Sequence, residues 1–434
     1  MSEQLSLIEM FSKRHDNLSG RPYNLGLILT ALALFTIGFV IVTSASMPVA
    51  ERIHGNPYHF SIRHGIYILI AMSAGLITLN LPMRFWQWSN PYLLLLGFGL
   101  LVVVALIGKT VNGSQRWIVL GPITIQAAEP AKLFFFLYLA GYLVRRHEQV
   151  RENLRGFAKP LGVLCMFAIL LLFQPDLGTV IVMFCTALAL LFLAGARLWQ
   201  FFAIIFAGGA MFVFLIVYSE YRRARITGFL RPWDDPFGVS YQLTQSLMAY
   251  GRGSWFGQGL GNSLQKLEFL PEAHTDFIMA ILAEELGYIG VLMVLLLVFY
   301  IIFSALRIGN IALSNQRPFE AFTAYAVGVW FCLQTAVNIG ASTGLLPTKG
   351  LTLPLVSYGG SSIIIMTIAV AILIRIDFEL RVDGVQAIPK ARKTKRKPII
   401  KRLSKAPAED DSIQAQANHA DDYSDPAQRE AANA

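Results

Sequence analysis

Apolar stretches, each close to the roughly 20 residues that a helix needs to cross a bilayer, alternate with polar segments along the chain. They begin near Leu25, Ile66, Tyr92, Leu133, Leu161, Thr179, Trp199, Phe277, Ala321 and Ile363. Hydrocarbon holds no water to satisfy backbone polar groups, so runs of this length predict helices. The expected fold is an all-α integral membrane protein of about ten transmembrane helices. Two places are ambiguous. The runs on either side of Gln174-Pro175-Asp176 are separated by almost no loop, and the run from Phe277 to Leu306 carries Glu284 and Glu285. A single long helix that starts in the interface and then crosses would explain the second. The first run, from about Leu25 to Val42, exceeds the roughly 7 to 15 apolar residues of a signal peptide, which predicts an uncleaved first span.

Charge orients this pattern. With the amino terminus inside, the inner loops hold Arg84, then Arg145, Arg146, Arg151, Arg155 and Lys159, then Arg197, Arg307 and Arg317. The carboxyl tail adds a basic stretch from Lys390 to Lys405. Excess Lys and Arg mark cytoplasmic loops, so both termini are expected in the cytoplasm, with a large outer loop, residues 219–275, between spans seven and eight. The division expected is a cytoplasmic segment at 1–22, a membrane domain at 23–378 and a cytoplasmic tail at 379–434, basic then acidic. The end of that tail has almost no large apolar residues and is expected to be disordered. Composition removes other classes: 55% hydrophobic and 15% charged residues exclude an ordinary soluble globule. The net charge of +9 is explained by topology and anionic lipid rather than nucleic acid. Cys165, Cys185 and Cys332 lie in apolar runs without CxxC spacing, which argues against a disulfide framework or zinc site.

On this orientation the chemically unusual segments all face outward: Val111 to Trp117, Gln126 to Lys132, Gln174 to Gly178, the polar-to-apolar junction at Asp276, and Pro347 to Ser362. A single outward-facing site is expected. Asp276 sits where a polar loop meets an apolar run, a position that can push a carboxylate toward proton abstraction. It is equally a position for a helix cap. Glu129 and Lys132 share a helix face three residues apart. They read either as a structural ion pair or as functional charges at membrane depth. Arg116 and Trp117 just before them would suit a phosphate and the sugar or lipid attached to it. Asp176 after Pro175 also reads as ordinary turn chemistry. The run GRGSWFGQGLG from Gly251 has neither the Walker nor the dinucleotide pattern, so a nucleotide-driven pump is disfavoured; its glycines would let a flexible loop approach lipid or substrate closely. The absence of a convincing internal repeat gives no support to an inverted-repeat transporter.

Several ordered motifs resemble one family. NGSQRW, the Gln-x-x-Glu-x-x-Lys of Gln126 to Lys132, QPDLGT, YQLTQS, GQGLGNSLQK, FLPEAHTDF, EELG and TGLLPTKGLTLPLVSYGGSS are similar to the SEDS family of polytopic proteins that polymerise peptidoglycan from lipid II. The resemblance covers roughly Leu25 to Asp377. Within the family, PWDDPFG, PEAHTDF and the long basic tail resemble the division members more than the elongation members. One departure is Ala127-Ala128, where the family often has Pro-Ser. The resemblance implies a peptidoglycan glycosyltransferase of the inner membrane in which Asp276 is the catalytic carboxylate and Trp117, Glu129, Lys132 and Asp176 line the cavity behind it. It also implies a class B penicillin-binding transpeptidase (FtsI type) and other divisome proteins as partners, at the division septum. No cofactor is specified; Arg116 and Lys132, or a divalent cation, would offset charge on the departing diphosphate. A lipid II flippase and a non-catalytic division scaffold are the competing readings.

Overall fold

The computed structural model describes residues 23–111, 114–120, 123–347 and 350–387. The segment expected at 1–22, the basic stretch from Lys390 to Lys405 and the rest of the tail, and the Thr348-Lys349 pair lie outside the described residues.

Every apolar run is helical. The first three helices, α1 (Leu25–His54), α2 (His59–Asn80) and α3 (Met83–Ile107), are followed by α4 (Ala128–Arg145), a short α5 (His147–Glu152) and α6 (Leu154–Phe173). Then come α7 (Leu177–Leu193), α8 (Leu198–Val217), α9 (Glu220–Leu230), α10 (Tyr241–Gly253), α11 (Ile278–Ser314), α12 (Pro318–Ser342) and α13 (Gly360–Ala387). Six of them, α1, α2, α3, α6, α11 and α12, are long and apolar enough to cross a membrane by length and composition. The protein is an integral membrane protein. Helix ends follow local chemistry. Asn24 accepts from the Leu27 amide to cap α1, Gly55 in the left-handed region closes it, and Pro318 opens α12 where its missing N–H costs nothing. Helix α13 runs on to Ala387, past the expected start of the tail at 379.

Burial sorts the helices. In α12, 67% of the most apolar window is buried, against 22% in α3. In α4, Glu129, Lys132 and the apolar residues from Ala131 to Leu143 are mostly buried. These two helices therefore form the middle of the bundle, with α7 and α11 packed against α12. Helix α8 turns Trp199, Phe202, Phe206 and Met211 outward, the face expected of a helix in lipid.

Three features add detail to the expected helical fold. Between α3 and α4, β1 (Lys109–Val111), β2 (Ser114–Leu120) and β3 (Ile123–Gln126) form a small antiparallel sheet in the order β1-β2-β3. Lys109 pairs with Trp117, and Trp117 with Gln126. An Asn-Gly pair beside β-branched and aromatic residues is a hairpin signal, and it is legible at 112–113. Second, segment 219–275 contains α9 and α10, and α10 buries Leu243, Ser246, Ala249 and Tyr250. Third, α11 is two helices. Gly287 (φ +69°, ψ −170°) breaks it, leaving a buried piece, Ile278 to Glu285, before a piece that exposes Ile289, Leu292 and Leu296.

The same break explains the glycine-rich run, whose glycines serve packing against the protein rather than a loose approach to lipid. The Gln258 amide donates to the Glu284 carbonyl at 2.9 Å, and the Tyr288 amide to the Ser254 carbonyl at 3.0 Å. A Cβ on Gly257, where φ is +77°, would stand 2.2 Å from the Glu285 carbonyl oxygen. Gly257→Ala is therefore expected to destabilise the detergent-solubilised protein by at least about 2 kcal/mol, combining strain at positive φ with overpacking. Gly251→Ala, where a Cβ meets nothing within 4 Å, should leave the melting temperature unchanged or raised. Equal melting of the two variants would show that the loop does not pack this way.

Candidate active site

Segment 350–362, between α12 and the first turn of α13, is where the motif segments meet. The Gln126 amide donates to Ser361 Oγ at 2.9 Å, and Ser361 Oγ donates to the Thr124 carbonyl at 3.2 Å, which docks β3. A Cβ on Gly178, in the first turn of α7, would lie 3.3 Å from the Leu351 side chain, which places the Gln174–Gly178 turn against the same segment. Gln334 Nε2 on α12 donates to the Thr352 carbonyl at 2.9 Å. A Cβ on Gly350 would stand 3.0 Å from Asp276 Oδ2. β3, the Gln174–Gly178 turn, α12 and the Asp276 loop, far apart in sequence, thus meet at this segment.

Asp276 is half-buried and does not cap α11. The cap residue is Phe277, and no side chain makes the cap bond. Asp276 lies one residue earlier, in a turn where the Thr275, Asp276 and Phe277 amides all donate to the Glu272 carbonyl. Its own carbonyl accepts from Asn338 Nδ2 at 3.0 Å, and its carboxylate faces the Gly350 backbone. Beside it, His274 stacks on Phe60 and Tyr358 at centroid distances of 5.1 and 5.5 Å, and the His274 carbonyl accepts from the Tyr358 amide. Burial lowers the His274 imidazole below its usual range, with Glu272 pulling the other way. Burial also pushes the Tyr358 phenol up to about 12. Neither group adds charge beside Asp276 at neutral pH.

Glu129 and Lys132 are the ion pair that their spacing predicts, at 2.9 Å, with side-chain exposures of 5% and 0%. Lys132 Nζ also donates to Gln334 Oε1 at 3.1 Å and stands 5.2 Å from the Trp330 ring centroid. Asp176 is likewise buried and takes the cap role at α7: its carboxylate accepts from the Thr179 amide at 3.2 Å and from Thr179 Oγ1 at 2.8 Å. Arg116 supports the turn that carries it, donating from Nε to the Gln174 carbonyl at 2.8 Å and from Nη2 to the Pro175 carbonyl at 2.7 Å. Trp117 is half-buried in β2. Arg116 and the Gln174–Thr179 turn thus form one cluster, and α12 links Lys132, through Gln334, to the segment that Asn338 ties to Asp276.

Asp176→Asn is expected to keep the cap, because an Asn oxygen accepts the same bond. Asp176→Ala should cost about 1 kcal/mol of stability, and thermal melting of the two variants separates them. A rate lost in Asp176→Asn without loss of stability would mean that the charge itself acts on substrate.

A family model described as cell cycle protein, covering FtsW, RodA and SpoVE, matches residues 25–382. The chain belongs to this family. Relatives named "Probable peptidoglycan glycosyltransferase FtsW" include one from Alteromonas naphthalenivorans, 69% identical over 93% of this chain and 77% of its own length. Another, from Pseudoalteromonas atlantica, is 65% identical over 91% of this chain and 82% of its own length. A solved structure described as "Structural coordination of polymerization and crosslinking by a peptidoglycan synthase complex" is similar with a TM-score of 0.68 and 24% identity, over 82% of this chain and 98% of that chain. At that identity it supports the fold alone: FtsW/RodA/SpoVE proteins share this helical membrane architecture.

Two groups of residues in this FtsW/RodA/SpoVE chain have structural partners that the sequence reading did not assign. Trp330, Gln334, Asn338 and Ser342 recur every fourth residue on α12, a polar stripe visible as periodicity in an apolar run. All four are buried. Ser342 closes the stripe by bonding Tyr250 and Ser246 of α10. The other group is Glu284 and Glu285, which fasten the outer loop. Glu284 accepts from Arg252 Nη1 at 2.8 Å, from the Leu264 and Gln265 amides, and from Ser263 Oγ. Glu285 accepts from Lys266 Nζ at 2.9 Å and Ser44 Oγ at 2.6 Å.

Proposed function

We propose that this chain is a peptidoglycan glycosyltransferase that polymerises lipid II into glycan strands at the outer face of the bacterial inner membrane, with Asp276 as general base. The observation that carries the reading is Asp276 itself, a carboxylate outside the α11 cap, beside Gly350 of the segment to which β3, the Gln174–Gly178 turn and α12 are joined. The acceptor sugar hydroxyl gives its proton to the Asp276 carboxylate as its oxygen attacks the donor's anomeric carbon. The bond from that carbon to the diphosphate breaks, and undecaprenyl diphosphate departs with the electron pair. One carboxylate acting as base, with no enzyme-bound sugar, gives inversion. Arg116 and Trp117, on the β-sheet docked to the same segment, form a wall for the phosphate and sugar. Among the described residues no three His, Cys, Asp or Glu side chains converge as a cage. A divalent cation shared between one carboxylate and the substrate's own phosphates, as magnesium often is, fits a site of this composition.

Ten crossings with both termini in the cytoplasm follow from the helices over the apolar runs and the placement of Arg and Lys. The loop anchored by Glu284 and Glu285 then lies outside, above Asp276. A single-span transpeptidase of the class B penicillin-binding type, together with other divisome proteins at the septum, completes the proposal.

The test is polymerisation of labelled lipid II in proteoliposomes holding the wild-type protein and its transpeptidase. Glycan strands resolved by gel are the expected product. Translocation of a fluorescent lipid II across the bilayer, with no polymer from folded complex, would overturn the reading in favour of a flippase.

A further inference from the structure

The polar stripe on α12 runs past the base. Asn338 is 1% exposed, and its single carboxamide nitrogen donates both ways, to the Asp276 carbonyl at 3.0 Å and to the Leu351 carbonyl at 2.6 Å. The carboxamide is planar and carries two N–H bonds, so using both of them fixes the two acceptors relative to each other. Leu351 follows Gly350, whose backbone faces the Asp276 carboxylate. One helical turn away, about 6 Å along α12, Gln334 makes the matching connection. Its Oε1 accepts from Lys132 Nζ at 3.1 Å and Trp330 Nε1 at 2.7 Å, while its Nε2 donates to the Thr352 carbonyl at 2.9 Å. Thr352 Oγ1 is 2.7 Å from Ser362 Oγ at the start of α13.

We infer that Asn338 is a positioning residue for glycosyl transfer, with Gln334 beside it carrying the hold of the Glu129–Lys132 pair to the same segment. This rests on the reading of Asp276 as the base. The two amides, four residues apart, grip consecutive carbonyls, Leu351 and Thr352, and only Asn338 also grips Asp276. Asn338 therefore ties the Asp276 backbone to Leu351, beside the bond from the Tyr358 amide to the His274 carbonyl that joins the same two segments. Misplacing a reacting group by about 1 Å can cost on the order of 10²-fold in rate. The Glu129–Lys132 pair acts on the reaction through Gln334, without touching substrate. An amide in the apolar middle of a helix is costly unless every donor is used. Here both donors of each amide meet backbone or a buried partner on the Asp276 side of the helix.

Among the described residues, the titratable groups around Asp276 include His274 and Glu272 on its own loop, Tyr358 on segment 350–359, His64 and Arg63 on α2, and Glu129 and Lys132 on α4 behind Gln334. A neutral substitution at position 338 changes none of these side chains. Asn338→Ala, Asn338→Asp and, as an inactive reference, Asp276→Asn are compared with wild type as transpeptidase complexes in proteoliposomes. The readouts are kcat and KM for lipid II, the pH profile of kcat/KM, and the melting temperature.

For Asn338→Ala the expected result is a kcat reduced about 10- to 100-fold with KM within about threefold. Asn338→Asp places a second carboxylate beside Asp276, which disfavours its ionisation, so the acid limb of the profile moves up by about one pH unit. A residue that only stabilises the fold would lower the melting temperature and leave both readouts in place. Asn338→Ser keeps one donor, is expected to fall between wild type and Ala, and serves if the other variants do not fold. Wild-type rates and an unmoved acid limb in the Asn338 variants, with Asp276→Asn inactive, would overturn the inference alone. An active Asp276→Asn would overturn the assignment of the base, and the inference with it.

Discussion

Asp276→Asn is expected to lower glycan-strand synthesis by about 10²- to 10⁴-fold, the range that a positioned general base supplies, with the protein still folded and paired with its transpeptidase. Asparagine has nearly the same shape as aspartate; it removes the negative charge and replaces one acceptor oxygen by an NH2 donor. The backbone bonds that hold this position, from the Asp276 amide to the Glu272 carbonyl and from Asn338 to the Asp276 carbonyl, do not involve the carboxylate and remain. No cap is lost, because no side chain caps α11. The rate loss should therefore come without a matching loss of melting temperature. The measurement is polymerisation of labelled lipid II by purified complexes, with a thermal melt on the same samples. Equal polymer from both proteins would remove Asp276 from the chemistry. Glu129, in its ion pair with Lys132, and Asp176, at the cap of α7, would then be the next carboxylates to vary.

The second large effect is on stability. Lys132→Ala leaves the Glu129 carboxylate buried without its cation, and breaking one side of a buried pair costs about 3–5 kcal/mol. It also removes a donor from Gln334 Oε1. The double change Glu129→Gln with Lys132→Met removes both charges together and should recover most of that loss, because neither ion is then left uncompensated. Melting of the two variants in the same detergent separates the outcomes. If Lys132→Ala melts like wild type yet polymerises slowly, the lysine meets substrate rather than holding the helices. A double variant as unstable as the single one would show that packing, not charge, dominates at this place.

How much was legible beforehand differs between residues. The helices were legible because a bilayer demands long apolar runs, and each run carries its own signal. The Glu129–Lys132 pair was legible because three residues on a helix bring side chains together whatever the fold. The β-sheet was missed because its short strands sit between two long apolar runs, although the Asn-Gly at 112–113 signals it. Asp276 was open between cap and base, and Asp176 read as turn chemistry, since each precedes an apolar run. The fold separates their geometry: Asp176 bonds Thr179 at the start of α7, while Asp276 lies one residue before the Phe277 cap position of α11, beside Gly350.

Local sequence thus determined by itself which segments are helical, where the ionisable groups fall along the chain and which motifs carry the family. Those properties depend on residues a few positions apart. Only the tertiary structure decided what each ionisable group does, because that depends on partners distant in the chain. Glu285 meets Ser44 across 241 positions, Arg116 reaches the Gln174 carbonyl across 58, and Asn338 joins the Asp276 carbonyl across 62. A carboxylate becomes a cap, an anchor or a base according to which donors surround it, and those donors are brought to it by packing.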